Sequence, residues 1–130
     1  MKDQVTTIEQ SQRLLQLGVP SSKASMVWTS CSNEWHISVF SHYRASKESI
    51  DSGVSIPAFT VADLLEMMPE FIGENKPLFI ERRSVDCSGS KWCVGYRDRV
   101  TLWIDSESSL LDVCILGIEW LLSNGYKLES

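Results

Sequence analysis

The stretch WCVGYRDRVTLWID at residues 92–105 carries the pattern that decides the fold class. Trp92 and Tyr96 alternate with smaller or polar residues in its first half, and the second half has the same period of two. This period is typical of β-strands, and the polar residues 97–99 between the halves predict a tight hairpin. A further strand-like segment, 78–83, precedes them, so we expect an antiparallel meander of three strands.

The sequence predicts three helices, two before this meander and one after it. Thr6 and Glu9 have the spacing of a capping box, which predicts a first helix over residues 7–17. A second helix is expected within residues 60–69, where a threonine begins and a proline ends an apolar stripe. The third helix, within 108–125, is apolar on most of its surface and is expected to pack against the sheet.

The order of these elements predicts the architecture. A single strand over residues 35–42 is expected between the first two helices, followed by a polar loop over 44–55. The predicted fold is therefore α+β, with three helices packed on a small antiparallel β-sheet in the order α-β-α-β-β-β-α. A chain of 130 residues has an ordinary single-domain size, so we expect one domain over residues 1–130.

Charge and hydropathy narrow the possible classes of function. The net charge of −5 opposes non-specific binding to nucleic-acid phosphates. The first residues lack the apolar core of a signal peptide, and the longest apolar stretch, 110–122, is shorter than the ~20 residues that span a bilayer. We therefore expect a cytoplasmic protein with no membrane association, whose cysteines stay reduced.

Cysteine and histidine are the residues that would indicate a metal or thiol site. The candidates are Cys31, His36, Cys87 and Cys93, but the chain has no CxxC or HxxxH pair. Structural zinc needs four such ligands at compatible spacing. We therefore predict no cofactor, no metal and no catalytic residue, while a small metal- or thiol-dependent enzyme remains one alternative.

The basic hairpin is the strongest candidate for a binding surface. Its candidate residues are Arg82, Arg83, Trp92, Tyr96 and Arg97. Aromatic rings interleaved with arginines can stack nucleic-acid bases or anchor a partner protein. The competing interpretation places Trp92 and Tyr96 in the core, because the apolar Val94 shares their face of the strand. Cys93 and Arg97 would then face the solvent.

Three stretches of the chain together carry a resemblance to known proteins. They are IEQS through LGVP at 8–20, IPAFT through LLEMMP at 56–69, and IEWLL through GY at 118–126. They resemble an uncharacterised group of small proteins of gut anaerobic bacteria, often encoded in prophages and other mobile elements. The resemblance implies a bacterial or phage cytoplasmic protein and carries no catalytic residue over to this chain.

The leading functional hypothesis is a small non-enzymatic accessory protein that binds another protein or associates with itself. It follows from a compact, acidic, aromatic-rich chain without a catalytic motif. A nucleic-acid-associated protein that uses the basic hairpin at 82–99 is the first alternative. The metal- or thiol-dependent enzyme is the second.

Overall fold

The computed structural model describes residues 4–31, 33–39, 55–73, 76–84, 90–97, 101–107 and 109–129. Its elements in chain order are α1 (Ile8–Gln16), a 3-10 helix (Ser21–Lys23), β1 (Met26–Cys31), β2 (Glu34–Val39), β3 (Ser55–Ala58), α2 (Val61–Met67), β4 (Phe71–Ile72), β5 (Lys76–Ser84), β6 (Ser90–Arg97), β7 (Thr101–Glu107) and α3 (Leu110–Ser123). The protein is therefore mixed α+β. Over the described ranges, no helix is both long and apolar enough to cross a lipid bilayer.

The chain divides into two compact units, Met1–Asp63 and Leu64–Ser130. Each unit has its own antiparallel sheet, with strand order β2-β1-β3 in the first and β4-β5-β6-β7 in the second. The prediction of a single sheet was therefore wrong, and so was the predicted order of helices and strands. The expectation of one domain stays a prediction, because compact units can fold together or separately.

The N-cap of the first helix lies one residue later than predicted. Thr7 is the N-cap of α1, and its side chain and that of Gln10 form the reciprocal capping box. Thr6, the predicted cap, is fully buried. Its hydroxyl oxygen accepts a hydrogen bond from the Phe59 N–H at 3.0 Å and lies 2.6 Å from the Ser11 hydroxyl. Thr6 therefore uses its side chain in tertiary contacts instead of capping the helix.

The sheet of the first unit contains two strands that the sequence prediction lacks. β1 is the central strand and pairs antiparallel with both β2 and β3. All four residues of β3 are buried, so β3 has no alternation of polar and apolar residues that would mark it as a strand. The loop predicted over 44–55 lies outside the described residues, except for Ser55 at the start of β3.

Thr60 confirms the predicted N-terminus of the second helix, and the carboxylate of Asp63 has a structural role there. Thr60 Oγ1 accepts a hydrogen bond from the Asp63 N–H, and Asp63 accepts one from the Thr60 N–H. Asp63 also accepts hydrogen bonds from the N–H and the hydroxyl of Ser25. The buried carboxylate therefore joins the start of α2 to the residue before β1.

The predicted meander is confirmed in the second unit. β5, β6 and β7 pair antiparallel in sequence order, with a register shift between Tyr96 and Arg97. α3 contacts β6 and β7, begins at the N-cap Ser109 and is followed by Gly125 at a positive φ of 79°. The turn predicted at 97–99 lies outside the described residues beyond Arg97.

The middle of β6 is buried on both faces. Val94 and Tyr96 are fully buried, and Cys93, on the opposite face, is 4% exposed. The expectation that Cys93 faces the solvent was therefore wrong. A period of two predicts one buried and one exposed face for β6. In the structure β6 lies between β5 and β7 and contacts α3, and its side chains are buried on both faces.

Candidate functional site

The second unit contains a groove of about 660 Å³, which we call the acidic groove. It lies where the C-terminal half of α2, the residues around β4 and the first part of β5 meet Glu129. Its lining combines apolar side chains with three carboxylates: Leu65, Glu66, Met68, Glu70, Phe71, Leu78 and Glu129.

Three hydrogen bonds position the walls of the acidic groove. They run from Tyr96 Oη to Pro69 O, from the Leu78 N–H to Glu70 O and from the Glu129 N–H to Met67 O, each at 2.8 Å. The bonds of Tyr96 and Glu129 join segments that are distant in sequence, and the bond of Leu78 joins β5 to the residue before β4. The groove is therefore formed by tertiary contacts and not by one local motif.

Negative charge and apolar surface coincide in this groove. Glu66, Glu70 and Glu129 are exposed, and the side chains described here include no ion-pair partner for any of them. Phe71 is 57% exposed, which is unusual for a large apolar side chain. An apolar surface with carboxylates around it favours a ligand that is both apolar and positively charged.

Tyr96 supports the groove from the core of the second unit. Burial raises the pKa of its hydroxyl well above the ordinary tyrosine value, and the negative charge of Glu129 raises it further. The hydroxyl therefore stays protonated at neutral pH and continues to donate to Pro69 O. Tyr96, predicted as a binding residue, is fully buried and does not present its ring to a ligand.

The structure brings Arg82 and Trp92 together and places Arg97 apart from them. The Arg97 guanidinium lies 4.1 Å from the centre of the Phe79 ring and forms a 3.6 Å ion pair with Glu81. The Arg82 guanidinium lies 5.7 Å from the centre of the Trp92 ring, which is half-buried. The side chain of Arg83 is outside the described part of the structure.

These contacts place the two arginines on opposite faces of the hairpin. Phe79 and Glu81, the partners of Arg97, alternate along β5 with Arg82, and alternate residues of a strand point to opposite faces. Arg82 and Arg97 therefore do not form one basic patch. A nucleic-acid surface built from both side chains receives no support from this arrangement.

The candidate metal ligands are not assembled by the described residues. His36 is exposed, with Nε2 3.8 Å from a Glu34 carboxylate oxygen, whereas Cys93 is buried in the other unit. Cys87 and the side chain of Cys31 lie outside the described residues. In the part of the chain that is described, no three His, Cys, Asp or Glu side chains are close enough to hold a metal ion.

Cys114 should be unreactive in the folded protein. Burial raises its thiol pKa to about 12, so at neutral pH the thiolate that reacts with electrophiles is scarce. We expect iodoacetamide to modify Cys114 about tenfold more slowly, or slower still, in native protein than in urea-unfolded protein at about pH 8. Peptide mapping by mass spectrometry would measure both rates, and rapid native labelling would contradict the buried placement.

The sequence did not predict the acidic groove. Its local signal is the Pro69-Glu70-Phe71 step, where an aromatic residue lies four residues after α2 ends at Met67. Neither Leu78 nor Glu129 has a sequence feature that links it to this step. Their place in the groove depends on backbone hydrogen bonds that the sequence does not reveal.

Similarity to known proteins does not identify the ligand of the acidic groove. Comparisons of the chain with protein-family models, with curated proteins and with solved structures found no match. The function is therefore inferred from the shape, charge and hydrogen bonding of the described residues.

Proposed function

We propose that the protein is a non-enzymatic accessory protein that binds a positively charged, partly apolar segment of another protein in its acidic groove. The observation that carries this proposal is the coincidence of three exposed carboxylates with an apolar lining in one groove. Apolar contact would supply most of the affinity, and the carboxylates would select a cationic partner and speed its association.

Phe71 is the anchor expected for such a complex. Large aromatic residues are common hot spots, because burying their rings against a partner removes much apolar surface from water. The described residues that line the acidic groove include no cysteine, histidine, serine or lysine. They therefore offer no nucleophile paired with a base, which supports binding over covalent catalysis.

A bacterial or phage cytoplasm is the proposed setting for this interaction. The resemblance to proteins of bacterial mobile elements supports it. Cys93 and Cys114 are free thiols, which is the state that a reducing compartment maintains.

Two synthetic dodecapeptides would test the proposal. Both contain equal numbers of leucine and lysine, one with the residues alternating and one with helical spacing, and each is matched by a peptide with glutamate in place of lysine. We expect a lysine peptide to bind, with fluorescence anisotropy as the readout, and the glutamate peptides not to bind. The double variant Glu66→Gln/Glu70→Gln should weaken binding by about five- to tenfold, because it removes two charge contacts.

A matched variant separates the groove from the net charge of the protein. Glu9 and Glu34 are exposed carboxylates of the first unit, so Glu9→Gln/Glu34→Gln changes the net charge equally without altering the groove. It should leave the affinity within about twofold of wild type. Equal weakening by both double variants, or no binding of either lysine peptide, would refute the proposed site.

A further inference from the structure

Among the described residues, the sheet of the second unit has a strand edge that is only partly covered. The two-residue strand β4 pairs with Pro77 and Lys76 at the start of β5. Beyond Leu78, the described residues provide a neighbour for β5 only on the side of β6. An uncovered strand edge presents backbone N–H and C=O groups that can pair with an added strand.

The direction of these backbone groups follows from one hydrogen bond. The Leu78 N–H donates to Glu70 O on the β4 side, at 2.8 Å. N–H groups alternate in direction along a strand, and the register from Leu78 to Ser84 against β6 is continuous. The N–H groups of Ile80 and Arg82 therefore point toward the uncovered edge, away from β6.

The uncovered edge and the acidic groove are continuous. Glu70 and Leu78, which share that hydrogen bond, both line the groove, and Ile80 is the next residue on the same face of β5. Ile80 is 40% exposed. Apolar surface therefore extends from the acidic groove along the uncovered edge of β5. The carboxylates lie at the groove end of this surface, and the exposed Arg82 lies at its other end.

We infer that the partner segment binds in an extended conformation, as an added β-strand alongside Ile80–Arg82, with its cationic apolar end in the acidic groove. This inference rests on the proposed function and adds the mode of recognition. The backbone of the partner would supply the hydrogen bonds, and alternate side chains would contact the groove and Ile80. The carboxylates at the groove end of the site favour a partner segment that is basic near Glu70.

Proline at position 80 tests the backbone pairing directly. Ile80→Pro removes one outward N–H and leaves the hydrogen bonds between β5 and β6 intact, since proline is tolerated where an edge strand faces solvent. Ile80→Ala loses the same side chain but keeps the N–H. We expect Ile80→Pro to weaken binding of the alternating lysine peptide by about tenfold and Ile80→Ala by less than about threefold.

Peptide chemistry gives a second readout that does not depend on folding of a variant. Methylating every second backbone nitrogen of the alternating peptide can be done in two complementary patterns. Strand addition predicts that one pattern abolishes binding and the other preserves it, because only alternate N–H groups face β5. Equal effects of the two patterns, or equal effects of Ile80→Pro and Ile80→Ala, would overturn the inference and leave the proposed groove binding intact.

Sedimentation of the protein alone shows whether a second copy of the chain, and not a separate partner, occupies the strand edge. A monomer that binds the peptide as described supports a separate partner. A dimer that Ile80→Pro dissociates would instead place a second copy of the chain at this edge and would overturn the inferred partner. Failure of wild type to bind either lysine peptide counts against the proposed function itself.

Discussion

Replacing Asp63 by alanine should lower the free energy of unfolding by about 3 kcal/mol. The residue is only 7% exposed, and its carboxylate accepts hydrogen bonds from the Ser25 N–H at 2.9 Å, the Thr60 N–H at 3.0 Å and the Ser25 hydroxyl. Alanine removes the charged acceptor of all three part-buried hydrogen bonds, and a hydrogen bond to a charged group contributes about 1.5–3 kcal/mol. Urea unfolding followed by circular dichroism would measure the change.

Two further variants show whether the effect belongs to this hydrogen-bond network. Ser25→Ala removes only the hydroxyl donor and should cost about 1 kcal/mol. Glu66→Ala, at an exposed position of the same helix, should change the stability by less than about 0.5 kcal/mol. If Asp63→Ala costs no more than Glu66→Ala, the carboxylate does not join α2 to the start of β1 as the structure indicates.

Replacing Tyr96 by alanine should lower the free energy of unfolding by about 4 kcal/mol. The side chain is fully buried near the C-terminal end of β6, two residues after the equally buried Val94. Deleting the ring removes its apolar contacts and leaves a cavity, and the loss of the hydroxyl leaves Pro69 O without its donor. Thermal and urea unfolding would both report the loss.

Tyr96→Phe separates the ring from the hydroxyl. Phenylalanine keeps the packing, so we expect a loss of about 1–2 kcal/mol from the missing hydrogen bond to Pro69 O. Because Pro69 directly precedes Glu70 and Phe71, the same variant should also weaken binding of the lysine peptide. If Tyr96→Phe matched wild type in both stability and binding, the hydroxyl would have no role in holding the groove.

The helices and the meander were predictable because their signals are local. The end of α2 follows from a proline two residues after Met67, and its start follows from Thr60. The strands of the meander follow from a period of two within segments of six to nine residues. The N-cap of α1 was predicted one residue too early. The choice between Thr6 and Thr7 depends on the tertiary hydrogen bond from the Phe59 N–H to Thr6.

The sheet of the first unit was not predictable in the same way. β3 is buried along its whole length, and its sequence, Ser55-Ile56-Pro57-Ala58, is too short and too apolar to show a period of two. Its identity as a strand comes from pairing with β1, in which Pro57 lies opposite Val27. Long-range pairing of this kind depends on residues far apart in the chain, and no short window contains it.

The aromatic set of the hairpin shows how burial decides between two interpretations of one pattern. Trp92 and Tyr96 share a face by sequence, yet Tyr96 is fully buried while Trp92 is half-buried beside the exposed Arg82. The pattern alone leaves both the core and the binding surface open. The coverage of β6 by its neighbours resolves it for Tyr96.

The sequence by itself determined the three helices, the antiparallel meander and the acidic character of the chain, because caps, apolar stripes, strand periods and charge are read from neighbouring residues. Only the tertiary structure decided the division into two sheets, the buried position of Tyr96 and the existence of the acidic groove. Glu129 joins Glu66 and Glu70 through a backbone hydrogen bond to Met67 O, and Leu78 joins them through one to Glu70 O. Backbone groups are chemically alike in nearly every residue, so the sequence does not reveal which of them will pair.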